Sequence, residues 1–208
     1  FPSTFETLNP KFSRSYNRHR QNGVAHARYW RHNDGVRPTI IAIHGFSADL
    51  YFFNEWFFEI PWLYEMGCDV LLFTMPFHGP RQTRFSPFSG HGFFAGGLPR
   101  INEAFAHAIW DLRDIMHWLE ARGVDDIGVT GISLGDLIME WEPMGRMVRA
   151  AMKLTGTSIH EIRHMLAPSC PITWRPAIDI NDLMIVAGVG DRLAPPKHSR
   201  LLWDHWDR

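Results

Sequence analysis

The sequence predicts an α/β fold built on a mostly parallel central sheet with helices on both of its faces. Three observations carry that expectation. Short apolar runs such as Thr39–Ile43 and Asp69–Thr74 have the composition of strands buried on both sides. Helical stretches, above all 102–122, lie between such runs. Strands and helices alternate along the chain rather than segregating, which is the order of βαβ crossover units.

The elements follow in order. A first strand is expected at 24–30, and Asn33-Asp34-Gly35 behind it is a turn signal of the hairpin kind. Thr39–Ile43 is a β-branched central strand that runs into His44-Gly45-Phe46. Residues 54–66 carry aromatic side chains at helical spacing, closed by Gly67. Asp69–Thr74 is a second buried strand, and 75–99, rich in Gly and Pro, reads as loop. In 102–122, Ala104, Ala108, Leu112, Ile115 and Leu119 recur three or four apart, with Gly123 as the stop. A third strand at 126–130 leads into Gly131. Residues 183–187 form a fourth apolar run, ending at Gly188-Val189-Gly190-Asp191, and 196–206 a final helix.

Composition limits the function classes. The chain has 208 residues, 45% of them apolar, enough for one domain with a substantial core, and 1–208 is read as one domain. Net charge is −1 with the basic residues scattered, which argues against a nucleic-acid footprint or a membrane-surface patch. No apolar run approaches the ~18 residues of a membrane span, and no secretory leader pattern opens the sequence. Cys68 and Cys170 have no metal-like spacing, so a reduced compartment is the simpler reading, and the protein is expected to be cytoplasmic unless a targeting segment lies outside this sequence.

The chemistry concentrates in Gly131-Ile132-Ser133-Leu134-Gly135, a G-x-S-x-G motif directly after a predicted strand. A serine nucleophile needs an exposed Oγ, a base and oxyanion donors, and a sharp strand-to-helix turn supplies the first. Three further motifs stand in register with it. His44-Gly45-Phe46 follows one strand, Pro76-Phe77-His78-Gly79 the next, and Gly190-Asp191-Arg192-Leu193-Ala194-Pro195 a late one. Together they span about residues 36 to 200, and in this order the chain resembles the α/β-hydrolase superfamily on its esterase and lipase side.

The resemblance implies roles residue by residue. Ser133 is the expected nucleophile and Asp191 the acid that orients the base. The oxyanion donors are the N–H of Leu134 and that of Phe46 or Ser47. His44 belongs to the oxyanion loop and is not the expected base. The family order of nucleophile, acid and histidine places the catalytic His beyond Arg208, because His198 and His205 fall on the final helix. The chain departs from the family after Gly135, where Asp136 and Pro143 leave no room for the supporting helix and following strand. That predicts a gap of ~20–30 residues between Gly135 and Asp136, the alternative being a chain shortened at that point. Residues 136–167 are then a small helical cap, in which Met139, Trp141 and Met144 are candidates to bind a hydrophobic ester. Of Phe52, Phe53, Trp56, Phe57, Phe58 and Trp62, a few are expected to line that pocket and most to pack their helix onto the sheet.

One motif competes. His160-Glu161-Ile162-Arg163-His164 is H-E-x-x-H, the spacing that sets two zinc ligands on one helix face beside a glutamate base. No Glu follows to serve as the downstream third ligand, Ala167 and Cys170 occupy the positions of the extended motif, and Pro168 ends the helix. A zinc metallohydrolase is therefore the second reading, and a non-catalytic scaffold of the same fold the third. No cofactor or bound metal is expected, since the glycine clusters lack phosphate-loop or dinucleotide spacing. The expected partner is a small ester rather than a nucleic acid, and the sequence leaves the oligomeric state open.

Overall fold

The computed structural model describes residues 1–45, 51–131, 158, 161, 164, 175–176, 179–185, 187, 189 and 196–206. The chain divides into two compact units, Phe1–Ile132 and Ser133–Arg208.

In the first unit, β1 (His26–Trp30), β2 (Thr39–Ile43), β3 (Asp69–Thr74) and β4 (Ile127–Gly131) form one sheet in the order β1-β3-β2-β4. The last three are parallel, and β1 runs antiparallel to β3. Every residue of β3 is buried, as its continuous apolar run requires of a strand with neighbours on both sides. The Asn33-Asp34-Gly35 bend does not make a hairpin, because β3 lies between β1 and β2. The more apolar β3 takes the central place, and the half-exposed β1 is left at the edge.

The helix expected at 54–66 is two helices, α2 (Tyr51–Phe57) and α3 (Ile60–Glu65). Glu59 breaks the run in a left-handed conformation at φ 49°, and Pro61, which has no N–H and would crowd a preceding turn, fits only a new helix start. Only Phe58 of the six aromatic residues is buried. Phe52, Phe53, Trp56, Phe57 and Trp62 are each more than half exposed, so the expectation that most of them pack onto the sheet fails. Phe58 and Ile60, with the half-buried Tyr51 and Leu63, meet Ala42, Val70 and Leu72 instead. Those aromatic residues stand on the other side of a short helix whose sheet-facing stripe is narrow.

Alternation along the strands sends Ile41, Leu71 and Phe73 to the opposite face. There α5 (Gly97–Glu120) covers the sheet, and Trp118 meets Tyr29 of β1 edge-on at 5.9 Å. Helices thus flank the sheet on both sides, as a crossover that steps from β2 to β3 and another that steps back over β2 to β4 require if both are right-handed. Helix α5 begins earlier than the periodicity at 102 suggests, because Pro99 is tolerated in a first turn. Gly123 stops it at φ 82°.

The segment 75–99 is not plain loop, since it holds a 3-10 turn at Gly79–Arg81 and a short helix α4 (His91–Phe94). Ahead of β1, α1 (Pro10–Tyr16) starts on Asn9, whose side chain accepts from the Lys11 N–H. In the second unit, the strand expected at 183–187 is absent from its described residues. A 3-10 turn at Ile180–Asp182, capped by the Asp179 carboxylate, leads into extended chain with Met184 84% exposed. An apolar run becomes a strand only against a partner backbone, and none is described beside it. The final helix, α6 (Pro196–Trp206), lies where expected, with an Arg200–Asp204 ion pair and an exposed His205.

Packing is close between α4 and the loop after β3. A Cβ added to Gly92 would stand 2.4 Å from Cδ1 of Phe77, a side chain with 0% exposure. Gly92→Ala gains ~1 kcal/mol of helix propensity but forces an overpacking cost of about 2–3 kcal/mol. The expected net is a loss of about 1–2 kcal/mol, read in a thermal melt as a fall of about 2–8 °C. An unchanged or raised midpoint would show that Phe77 has room to move.

Candidate active site

Parallel β2 and β4 are paired through their last residues, Ile43 opposite Gly131. The segments that continue them in sequence, His44-Gly45 and the G-x-S-x-G motif opening at Gly131, therefore start from neighbouring points on the carboxyl edge. The adjacent β3 ends there too and runs into Met75-Pro76-Phe77-His78. Ligand sites of open α/β sheets form outside this edge. Ser133, Leu134, Phe46, Ser47, Asp191, Met139, Trp141, Met144 and His160 lie outside the described residues, as does the Gly135–Asp136 junction.

What is described around the edge is buried and hydrogen-bonded. His44 is 3% exposed, and its Nε2 accepts the Met75 N–H at 3.1 Å. Its Nδ1–H therefore donates to its neighbour's carbonyl, Gly45 O, at 2.8 Å. With both ring nitrogens engaged, His44 ties the exit of β2 to the exit of β3. His78 meets His44 edge-on at 4.9 Å and holds Pro76 O through Nδ1 at 2.9 Å. Burial, with His44 beside it, pushes the His78 pKa down to about 3, so the ring is neutral.

Phe77 between them has φ 65°, a left-handed conformation that costs a bulky residue roughly 1–3 kcal/mol. The surroundings hold it there. Its N–H donates to Asn22 Oδ1 at 2.7 Å, and its carbonyl accepts the Gly90 N–H at 2.9 Å. Tyr16 and His19 stand edge-on to its ring at 5.5 and 5.4 Å.

Behind this loop lies a polar cluster that periodicity did not single out. Arg81 and Asp111 are both 0% exposed, and Nη2 lies 2.8 Å from Oδ2. The N–H bonds of Nη2 are aimed at Asn22 O and at His107 Nε2, 2.8 and 3.1 Å away, while Nη1 donates to Thr74 O at 3.1 Å. Since a guanidinium only donates, His107 Nε2 accepts, and the Nδ1 hydrogen goes to Tyr16 Oη at 3.0 Å. Ser3 Oγ has a single hydrogen, with Asp111 Oδ1 and His107 Nε2 both in reach.

Ser3, His107 and Asp111 are the residue types of a catalytic triad in the wrong connectivity. The carboxylate sits on the serine rather than on Nδ1, and burial together with Arg81 pushes the His107 pKa down to about 3. A ring that resists protonation this strongly is no general base at neutral pH. One signal for the cluster was legible. Glu103, His107 and Asp111 stand four apart, a polar stripe on the buried side of α5. Glu103 accepts the backbone N–H groups of Leu8 and Asn9, so the stripe docks the N-terminal segment.

Glu161 and His164 of the H-E-x-x-H motif fall at helical positions. The Glu161 carboxylate accepts the Ser158 N–H and Oγ–H at 2.7 and 2.9 Å, and Ser158 Oγ accepts the Glu161 N–H. This is a capping box. The Ser158 N–H holds the Glu161 carboxyl below the usual carboxylate range. Among the described residues, no three His, Cys, Asp or Glu side chains are grouped as metal ligands, and no helix is long and apolar enough to cross a membrane. No protein-family model matches the chain, and no curated protein matches it.

The neutral, buried histidines make stability pH-dependent. His78 and His107 have folded pKa values near 3 against about 6.5 unfolded, so only the unfolded chain takes up protons between those values. Their contribution is fully present above pH 6.5 and is lost as pH falls toward 3. Asp111, whose pKa burial raises, works in the opposite direction, one group against two. Denaturant unfolding at pH 7 and pH 5 should show a loss of about 2–4 kcal/mol at the lower pH. Equal stability at the two would mean that the rings are not held neutral.

Proposed function

We propose that the protein is a serine hydrolase of the α/β-hydrolase kind acting on carboxylic esters, with Ser133 as nucleophile. The observation that carries this reading is the pairing of Ile43 with Gly131 on parallel neighbouring strands. An acyl-transfer site of this kind draws one oxyanion donor from the residue after the nucleophile and the other from the loop behind the adjacent strand. The register starts both sequence motifs from one point on the carboxyl edge. The strand order β1-β3-β2-β4, with helices on both faces, supports the same reading.

In this mechanism Ser133 Oγ attacks the ester carbonyl as a base takes its proton, and the N–H groups of Leu134 and of Phe46 or Ser47 hold the oxyanion. The alcohol leaves with a proton returned by the base, and water then releases the acid from the acyl-enzyme. Asp191 orients the base. His44 accepts the Met75 N–H and so ties the start of the oxyanion loop to the exit of β3. Met139, Trp141 and Met144 supply apolar contact for the acyl group. The zinc reading has less support, because the Glu161 carboxylate caps its own helix.

The test is hydrolysis of p-nitrophenyl acetate and butyrate by the protein and by Ser133→Ala. Loss of at least ~10³-fold in kcat/KM is expected, as for removal of a covalent nucleophile. Full activity in the variant, abolished by a zinc chelator, would overturn the proposal.

A further inference from the structure

The total charge of −1 conceals an uneven distribution. Between Glu6 and Asp34 the chain carries Lys11, Arg14, Arg18, Arg20, Arg28 and Arg31 and no acidic residue. Between Asp69 and Glu103 it carries Arg81, Arg84 and Arg100, again with no acidic residue. The fold packs these two stretches against each other. Arg100 Nη1 lies 2.7 Å from His19 Nε2, Arg81 Nη2 donates to Asn22 O, and the Phe77 ring stands edge-on to Tyr16 and His19. Folding therefore gathers cations from both stretches and an acid from neither.

On the surface of this region the cations are exposed and the α5 carboxylates that reach it are not. Lys11 and Arg14 stand three apart on the side of α1 away from the buried Tyr16, and Arg18 and Arg20 follow just beyond its end. All four are exposed, and among the described residues none of them is in an ion pair. The buried Glu103 holds the Leu8 and Asn9 N–H groups, and the buried Asp111 faces Arg81 and Ser3. Leu8, just ahead of the Asn9 cap, is 72% exposed although its backbone is anchored on Glu103.

Cations without countercharge, beside an exposed apolar side chain on an anchored backbone, fit a surface that offers negative charge with hydrocarbon beneath it. We infer that the outer face of α1 and the turn after it dock on a bilayer surface carrying anionic phospholipid. Lys11, Arg14, Arg18 and Arg20 meet the headgroup charges, and Leu8 enters the hydrocarbon boundary. A nucleic acid supplies the charge but nothing for Leu8. The contact is peripheral and reversible, because each cation near such a surface adds only about fivefold to binding. It does not depend on the proposed Ser133 chemistry.

The test is sedimentation with sucrose-loaded vesicles of phosphatidylcholine and phosphatidylserine, about 3:1, against vesicles of phosphatidylcholine alone. Binding to the mixed vesicles only is expected, and it should be lost as salt is raised to ~0.5 M. Lys11→Ala, Arg14→Ala and Arg18→Ala together remove three exposed charges and should weaken binding roughly a hundredfold. Arg113→Ala removes an exposed cation from α5 and should leave binding as in the parent. Leu8→Ser keeps every charge and should weaken binding about tenfold. No sedimentation with the mixed vesicles, equal sedimentation with phosphatidylcholine alone, a triple variant that binds as the parent does, or an equal loss in Arg113→Ala would overturn the inference. An unchanged Leu8→Ser affinity would overturn it as well, in favour of a purely ionic partner such as a nucleic acid.

Discussion

The buried guanidinium of Arg81 is the contact on which the first unit depends. It bonds the end of β3 through Thr74 O, the first 3-10 turn through Asn22 O, and α5 through Asp111 and His107. Three segments distant in sequence meet on one planar cation. Taking an ion pair out of water carries a desolvation cost of several kcal/mol per ion, visible as a raised Asp111 pKa and a lowered Arg81 pKa. The pair is thus a weak source of net stability. Its value is directional, because the fixed N–H vectors of Nη1 and Nη2 suit one arrangement of the surrounding acceptors.

That arrangement passes outward to the sheet edge. Asn22, whose carbonyl is held by Arg81, uses its side chain to hold the Phe77 N–H. Phe77, fixed at a strained φ, sets the course of the loop that carries His78, and His78 packs on His44. His44 in turn ties β2 to β3. A chain of direct contacts therefore runs from the ion pair to the carboxyl edge where the proposed chemistry begins. Strain at Phe77 is the kind of feature that persists only where its surroundings over-determine it.

How much of this was legible follows from where each signal is stored. β2 and β3 were readable to the residue because continuous β-branched and aliphatic runs in a parallel sheet have few other solutions. Helix α6 was equally plain, opened by a proline. Pairing was not readable. Asn33-Asp34-Gly35 describes only a local bend, whereas insertion of β3 between β1 and β2 is decided by burial across the whole sheet. The break at Glu59 was signalled by Pro61 but masked by aromatic periodicity. The 183–187 run shows the same limit, since composition proposes a strand and only a partner backbone makes one.

Within the site, the two strand-end motifs could be found from sequence because glycines and histidines at fixed offsets carry them. The partner of the His107–Asp111 stripe could not, because Arg81 lies 26 and 30 residues before them and meets them only when α5 folds back over β3. The central claim is that Ser133 is an activated nucleophile. The most direct measurement is to treat the protein with a fluorophosphonate and map the adduct by peptide mass spectrometry. A single adduct on Ser133, blocked by prior denaturation, is the predicted result. An unlabelled protein, or an adduct on another serine such as Ser3, would contradict the account.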